Sequence, residues 1–442
     1  FNEPVGMRST ASQTSLGNIR DGVEPVPTES GRIFGPSWWA GDALVAGESR
    51  GKIYRTKLVK TAAGYVAQNH LVACVNALTV DLCVSPRGEL VVSTHSGEPD
   101  WGSGPNGPGR LCKVSYTGRS EPQPVFVYPA SPSQVAVVFD RPLDPQKLKN
   151  LAVHASIHRG RFVQAGDRFE SLRPGYAAVQ MQMDAPRYEV PVFGAGLSAD
   201  QRTLILNAAA SQEAGEYSVT LPRIGAAQAR GAGDEPQLDA LDLHFALHGV
   251  QAVWQPLPAL PKSEADQTWT GWLPHLDWAV AGELTAPSQE HARLGEVFRR
   301  PGTLRLTTQM DLWQMLRAAT QPGSTPGFEY ALERVVLVLR ASPPFTVKTA
   351  ANPNSARSEL SDGKQECRVT AEPRENQWLP LEVVLPTGPN ELDLEISWHT
   401  AEDTRPRALP LRRMLLPWAV PNLKPGSETE DRRIPELSGG TW

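Results

Sequence analysis

The chain has 442 residues, more than one hydrophobic core accommodates, and its length suggests about three units of roughly 150 residues each. Its 40 prolines and 37 glycines, with 40% hydrophobic and 21% charged residues, indicate a folded, turn-rich chain and favour β-structure over helical bundles. The net charge of -5, without a Lys/Arg stripe interleaved with aromatics, argues against nucleic acid as a partner, and no apolar run approaches the roughly 20 residues that span a bilayer.

Residues 1–33 are polar and punctuated by Gly and Pro. The opening Phe1-Asn2-Glu3-Pro4 has neither an initiator Met nor the order of a signal peptide, so the true start is expected to have been removed by processing or truncation. Ala43-Leu44-Val45-Ala46 is a short apolar strand. After the turn residues Glu48-Ser49-Arg50-Gly51, Lys52 to Leu58 alternates polar and apolar at period two, which predicts a hairpin. Leu82-Cys83-Val84, the turn Ser85-Pro86-Arg87-Gly88 and Leu90-Val91-Val92-Ser93 predict a second. A Gly/Pro-rich loop from Gly97 to Gly109 leads to an outer strand at Arg110 to Tyr116.

Near Pro129 the texture changes, and Gln134 to Phe139 reads as the first strand of a new domain. Further strands are expected at Ala177 to Met183, Arg202 to Asn207 and Tyr217 to Leu221, a spacing that fits an immunoglobulin-like sandwich. Residues 225–240 read as a long loop or a linker. In the third region, Ser288 to Arg300 has helical spacing and ends on Pro301-Gly302. Thr308 to Ala319 satisfies neither period cleanly and is open between helix and strand end. Strands are expected at Arg334 to Leu339, Leu381 to Leu385 and Leu392 to Ser397, giving a β-sandwich with helical insertions.

Several patterns carry possible chemistry. Gly47-Glu48-Ser49-Arg50-Gly51 matches the G-x-S-x-G nucleophile elbow, but that motif needs a strand-to-helix turn, whereas a strand follows here. Gly102 to Gly109 lacks the Gly-Lys-Ser/Thr ending of a phosphate loop, and its prolines remove backbone donors. The loop after Thr94 brings His95, Glu98, Asp100 and Trp101 together, so a proton acceptor with a neighbouring carboxylate is one reading and a loop tied by backbone hydrogen bonds is the other. Trp254, Trp269, Trp272 and Trp278 lie within 25 residues, beside His275 and Asp277. Trp269, Trp272 and Trp278 are the candidate aromatic binding patch, against the commoner role of Trp in core packing. Cys74, Cys83, Cys112 and Cys367 show no C-x-x-C spacing and no metal site is predicted. The first three sit in apolar strands and read as buried free thiols, or as one disulfide.

Phe34-Gly35-Pro36-Ser37-Trp38-Trp39, the run Gly41 to Arg55, Asp81 to Gly88 with the His95–Trp101 loop, and Gly109 to Val114 resemble the late blades of sorbosone and soluble glucose dehydrogenase-like propellers. More broadly, the chain is similar to the middle of large multidomain membrane-bound dehydrogenases, in which such a propeller precedes sandwich domains and a c-type cytochrome domain. Pro435-Glu436-Leu437-Ser438-Gly439-Gly440 resembles the lead into that haem domain. The resemblance implies a mainly β chain. Residues 1–128 would be the C-terminal blades of a partial β-propeller, and 129–250 an immunoglobulin-like sandwich. Residues 251–420 would form a β-rich domain with short helices, and 421–442 a linker toward a haem domain beyond this sequence.

It further implies an extracytoplasmic oxidoreductase, periplasmic or at the cell surface, that oxidises sugars or other alcohols and passes electrons to the haem domain of the same protein. Arg50, His95, Asp100 and Trp101 are the candidate propeller-face site. The resemblance does not extend to pyrroloquinoline quinone: Ser49 stands where a quinone-contacting lysine would fall, and Leu78, Thr79 and Val80 supply no arginine. No cofactor is expected in this segment itself, and the propeller's loops from other blades would be needed for turnover. The competing class is a non-catalytic cell-surface scaffold that binds glycans or proteins.

Overall fold

The computed structural model describes residues 9–11, 33–47, 51–75, 77–95, 109–117, 121–169, 181–222, 240–257, 268–316, 334–349, 357–361 and 363–421. Among the described residues the fold is mainly β, in six antiparallel sheets, none of them closed.

The first region holds two meanders in which neighbours in sequence are neighbours in the sheet. β1 (Ser9–Ala11), β2 (Ala43–Gly47), β3 (Lys52–Thr61) and β4 (Gly64–Cys74) form one, and β5 (Leu78–Val84), β6 (Leu90–His95) and β7 (Leu111–Val114) the other. Both hairpins expected from the alternation are present: Gly47 pairs with Lys52, and Val84 with Leu90. That pairing gives the G-x-S-x-G motif a strand-to-strand context. Leu44, Ala46 and Ile53 of the first sheet share a core with Leu82, Leu90 and Val92 of the second.

Next come β8 (Pro124–Ser131), β9 (Gln134–Phe139), β10 (Ser156–Gly160), β11 (Arg187–Val190), β12 (Val192–Leu197), β13 (Thr203–Ala208), β14 (Glu216–Pro222) and β15 (Ala240–Ala246). They build two four-stranded sheets, in the orders β12-β13-β9-β8 and β11-β10-β14-β15. Val135, Val137 and Phe139 of the first sheet meet Ile157, Tyr217 and Val219 of the second in one core. Val138 points the other way, into a second apolar cluster with Phe126 and Trp272, so β9 reads as an unbroken apolar run. β8 straddles the change of texture at residues 128 and 129, because Pro129 sits in an edge strand, where a missing N–H is tolerated. The strand expected at Ala177 to Met183 is corrected: residues 181–183 are helical, and 177–180 lie outside the described residues. Ala, Gln and Met dominate that stretch, and unbranched residues favour helix.

The last region comprises β16 (Val250–Pro256), β17 (Trp269–Leu273), β18 (Gly302–Met310), β19 (Val335–Ala341), β20 (Thr346–Thr349), β21 (Arg357–Ser361), β22 (Lys364–Ala371), β23 (Leu379–Thr387), β24 (Glu395–Thr400), β25 (Arg407–Ala408) and β26 (Met414–Leu415). One sheet runs β17-β16-β18-β23-β20, with β26 also on β18, and the other β21-β22-β19-β24-β25. Leu304, Leu306 and Val383 pack with Leu337, Val369 and Ile396 between them. The expected helix is present at Gln289–Phe298, capped by Ser288, whose hydroxyl accepts from the His291 N–H. The ambiguous stretch after Thr308 holds both elements: β18 ends at Met310 and a short helix follows at Leu312–Leu316. The proposed loop at 225–240 and the linker at 421–442 fall almost wholly outside the described residues. No helix among the described residues is long and apolar enough to cross a membrane.

The three regions dock pairwise through named contacts. Lys52 of β3, 1% exposed, meets Asp167 of the first sandwich at 2.6 Å. Asp167 also binds Arg187 and accepts the Gln164 N–H. Gly166, at φ +76°, lets that loop approach: a Cβ there would lie 2.6 Å from Cys74 Sγ and 2.7 Å from Leu71. On the other side, Val59 and Val66 of the first sheet pack on Val280 and Leu284 of the second sandwich, and Lys57 meets Glu283 at 2.7 Å. Trp272 stacks on Tyr128 of the first sandwich, with centroids 4.7 Å apart.

Within the first sandwich, the Tyr217 hydroxyl donates to the Glu213 carbonyl at 2.9 Å. Tyr217 is fully buried, so its loss leaves a carbonyl unpaired. Tyr217→Phe is expected to lower stability by about 1.5 kcal/mol, read from the shift in urea midpoint; an unchanged midpoint would show that the bond contributes nothing.

Candidate functional site

The propeller-face candidates are only partly visible. Arg50, Asp100 and Trp101 lie outside the described residues. His95 ends β6 opposite Leu78, and the base of its loop is closed where the Thr94 N–H donates to the Arg110 carbonyl at 2.9 Å.

The tryptophans do not assemble into one open platform. Trp269 and Trp278 both pack against Phe298, at 5.7 and 5.4 Å between centroids. Trp272 lies against Tyr128 and Phe126, and its Nε1–H donates to the His248 carbonyl at 3.0 Å. Trp254 is buried and its Nε1–H donates to Thr387 Oγ1 at 2.9 Å. The density of indoles reflects one core and one inter-module contact, because large flat side chains supply most area where two layers meet.

His275 and Asp277 are also engaged. The Asp277 N–H donates to His275 Nδ1 at 2.8 Å, and His275 Nε2 lies 2.9 Å from the Leu409 carbonyl. An accepting Nδ1 requires the proton on Nε2, so the neutral ring satisfies both neighbours. Asp277 in turn caps the helix Trp278–Thr285 by accepting from the Ala279 N–H. Burial pushes its carboxyl above the usual range, against hydrogen bonds from Ile396, Val280 and Ala279.

The cysteines are all free: Cys367 is buried, Cys74 and Cys112 are half-buried, and Cys83 is exposed rather than buried. Cys83 occupies a solvent-facing position of edge strand β5. Burial pushes the Cys367 thiol up to about 11, which makes it a poor nucleophile. Among the described residues no group of three or more His, Cys, Asp and Glu is placed to hold a metal ion.

A cluster that the sequence did not single out has the most unusual chemistry. A short 3-10 turn, Ser37–Trp39, places two consecutive indoles beside Arg55 of β3. The turn depends on Gly35 at φ +99°, where a Cβ would fall 2.1 Å from the Trp39 ring. The Arg55 guanidinium lies 4.6 Å from the Trp38 ring centroid and 5.1 Å from that of Trp39. It donates to Asp42 Oδ2 at 3.2 Å, while Lys57 Nζ stands 3.9 Å from Asp42 Oδ1. Burial pushes the Arg55 pKa down to about 10 despite Asp42, and pushes Asp42 up despite Arg55 and Lys57. Across the strand pair, burial and then Arg55 push His70 down to about 3, so its ring stays neutral. A cavity of about 170 Å³ opens here, with Trp39, Asp42 and Arg55 on its wall. The Nε1–H of Trp38, the Nε1–H of Trp39 and the Nε–H of Arg55 are buried without a hydrogen-bond partner. The signal legible beforehand was Arg55 itself, a charge at an inward position of an alternating strand.

No protein-family model matches the chain, and no curated protein matches it. Among solved structures, it is similar to an anti-sigma factor domain-containing protein at 10% identity and a TM-score of 0.25, over 66% of this chain and 92% of that one. It is similar also to the GH31 alpha-xylosidase from Xanthomonas citri at 8% identity and a TM-score of 0.20, over 88% of this chain and 37% of that one. At such TM-scores neither likeness bears on fold or activity.

The buried neutral His275 makes stability pH-dependent. Burial lowers its pKa to about 4 in the folded chain from an ordinary 6.5. Between those values the unfolded state binds more protons, so stability falls as pH drops from 6.5 toward 4. The loss at pH 5 is expected to be on the order of 2 kcal/mol. Urea unfolding at pH 7 and pH 5 checks this, and His275→Gln is expected to reduce the slope without abolishing it, because burial lowers His70 and His248 as well; an identical slope in the variant would count against it.

Proposed function

We propose that the chain is a rigid, non-catalytic carrier segment of a sorbosone/glucose dehydrogenase-like propeller oxidoreductase. In this reading β1–β4 and β5–β7 are two consecutive blades, supported by their in-order antiparallel meanders and the core they share. The first sandwich is immunoglobulin-like. Its strands, taken as A, B, C, C′, D, E, F and G from β8 to β15, stand in the orders D-E-B-A and C′-C-F-G. The bond from Tyr217, near the start of the F strand, back to Glu213 has the form of a tyrosine corner. The third module is a β-sandwich with helical insertions.

The observation that carries the proposal is the buried Lys52–Asp167 pair, which fixes the blades to the sandwich rather than leaving them to swing on a linker. A rigid mount suits a protein in which a sugar or other alcohol is oxidised in one domain and electrons pass to a tethered c-type haem, outside the cytoplasm. Two blades supply few of the loops that surround a propeller's axis, so chemistry in this reading resides in the assembled parent.

The isolated chain is expected to show no dye reduction with a panel of aldoses and alditols, with or without pyrroloquinoline quinone and calcium. Steady turnover above the enzyme-free rate would overturn the carrier reading.

A further inference from the structure

We propose that Arg412, at the place where the three modules meet, holds the carboxylate of a small organic acid. Arg412 stands on the 3-10 turn Leu411–Arg413, and Leu411 packs on the cluster in which Val59 and Val66 of the sheet β1–β4 touch Val280 and Leu284. From that turn the chain runs beside the end of β15. The Gly249 N–H donates to the Met414 carbonyl at 2.9 Å and the Leu416 N–H to the Leu247 carbonyl at 2.8 Å, with His248 opposite Leu415. The turn therefore belongs to all three modules at once.

What singles out Arg412 is a positive charge that nothing answers. Among the described residues it makes no hydrogen bond and no ion pair, although it is half-buried. Only its Nε is sealed from solvent; the two terminal nitrogens, equally without partners, stay accessible. Its charged neighbours are committed elsewhere. Arg413 faces Asp311 at 3.7 Å, and Glu216 Oε2 lies 2.7 Å from His244 Nε2. Burial pushes the Arg412 pKa down to about 10, and the like charge of Arg413 outweighs the opposing pull of Glu216. A guanidinium drawn partly out of water without a counter-charge is destabilising, and a bound anion relieves it.

Charge and shape narrow the class. One charge is unanswered, so a singly charged guest completes the count, whereas a dianion leaves a surplus in the field of Glu216. Two coplanar terminal nitrogens match two coplanar oxygens, the fork that a carboxylate supplies. The His248 side chain also makes no hydrogen bond among the described residues. Burial, against the pull of Glu216, lowers its pKa to about 4, so the ring is neutral and keeps one N–H to offer the guest. With three modules packed around the turn, the acid is a short one.

The test is titration of the full chain with sodium acetate and sodium propionate, at an ionic strength held constant with sodium chloride, read by calorimetry and by melting temperature. Acetamide, an uncharged analogue of similar shape, and sulfate, a dianion, are the comparisons. At least one of the two acids is expected to bind saturably and to raise the melting temperature, with acetamide and sulfate binding more weakly. Arg412→Gln is expected to weaken that binding about tenfold, and Arg412→Lys, which keeps the charge but not the fork, to weaken it less. Arg405→Gln, at an exposed arginine already paired with Asp403, is expected to leave it unchanged. If Arg412→Gln fails to fold, Arg412→Lys and the comparison of acetate with acetamide decide. Absence of saturable binding by both acids, binding of acetamide or sulfate as tight as that of the acids, or unaltered affinity in both Arg412 variants would overturn the proposal.

Discussion

A fully buried lysine cannot be left without a counter-charge, and the docking of the first two modules depends on that constraint. Next to Lys52 the register of β3 against β4 shifts between Ile53 and Tyr54, where β4 carries the extra residue Val72. Asp167 answers the lysine from a loop of the next module, and the same carboxylate gathers Arg187 and the Gln164 N–H. Removing Asp167 takes the carboxylate away from Lys52 in a site with almost no water, whereas Asp167 keeps Arg187 if Lys52 is removed. The close approach through Gly166 belongs to the same device, since any side chain there would hold the loop away from Cys74 and Leu71 and break the pair.

The two sandwiches are joined by different means. Apolar and backbone contacts dominate, and the segment from Met414 to Val420 runs across the junction. Gln309 Nε2 lies within 3.1 Å of the carbonyls of Leu416, Pro417 and Ala419, holding that segment to β18. Val420 exchanges backbone bonds with Gln212 and Ala214 of the first sandwich. Leu415 and Ala419 enter the core of the first sandwich, although the segment belongs in sequence to the second. The sheet β1–β4 is thus gripped by a charge pair on one side and by Val280, Leu284 and Glu283 on the other.

Local pattern made the hairpins at Ala43 to Leu58 and Leu82 to Ser93 legible, because a half-buried strand must alternate. The helix after Ser288 was legible from its spacing and its stop. What the residues could not disclose was which face of a sheet another module covers. Trp269, Trp272 and Trp278 read as packing more readily than as a platform, and only the contacts with Phe298 and Tyr128 show what they pack against. The stretch at Ala177 to Met183 misled through apolar content alone, when its unbranched side chains favoured helix. The Arg55 cluster is assembled by a turn and a strand whose contact is tertiary, so only the inward charge of Arg55 itself was visible in advance.

Native-state hydrogen exchange on the amides of β3 and β14 tests the central claim that the sheet β1–β4 and the first sandwich form one mechanical unit. The account predicts that both strands open with the same free energy in the unmodified chain, and that Asp167→Ala lowers the value for β3 well below that for β14. Independent opening of β3 in the unmodified chain, or no separation of the two strands in the variant, would contradict it.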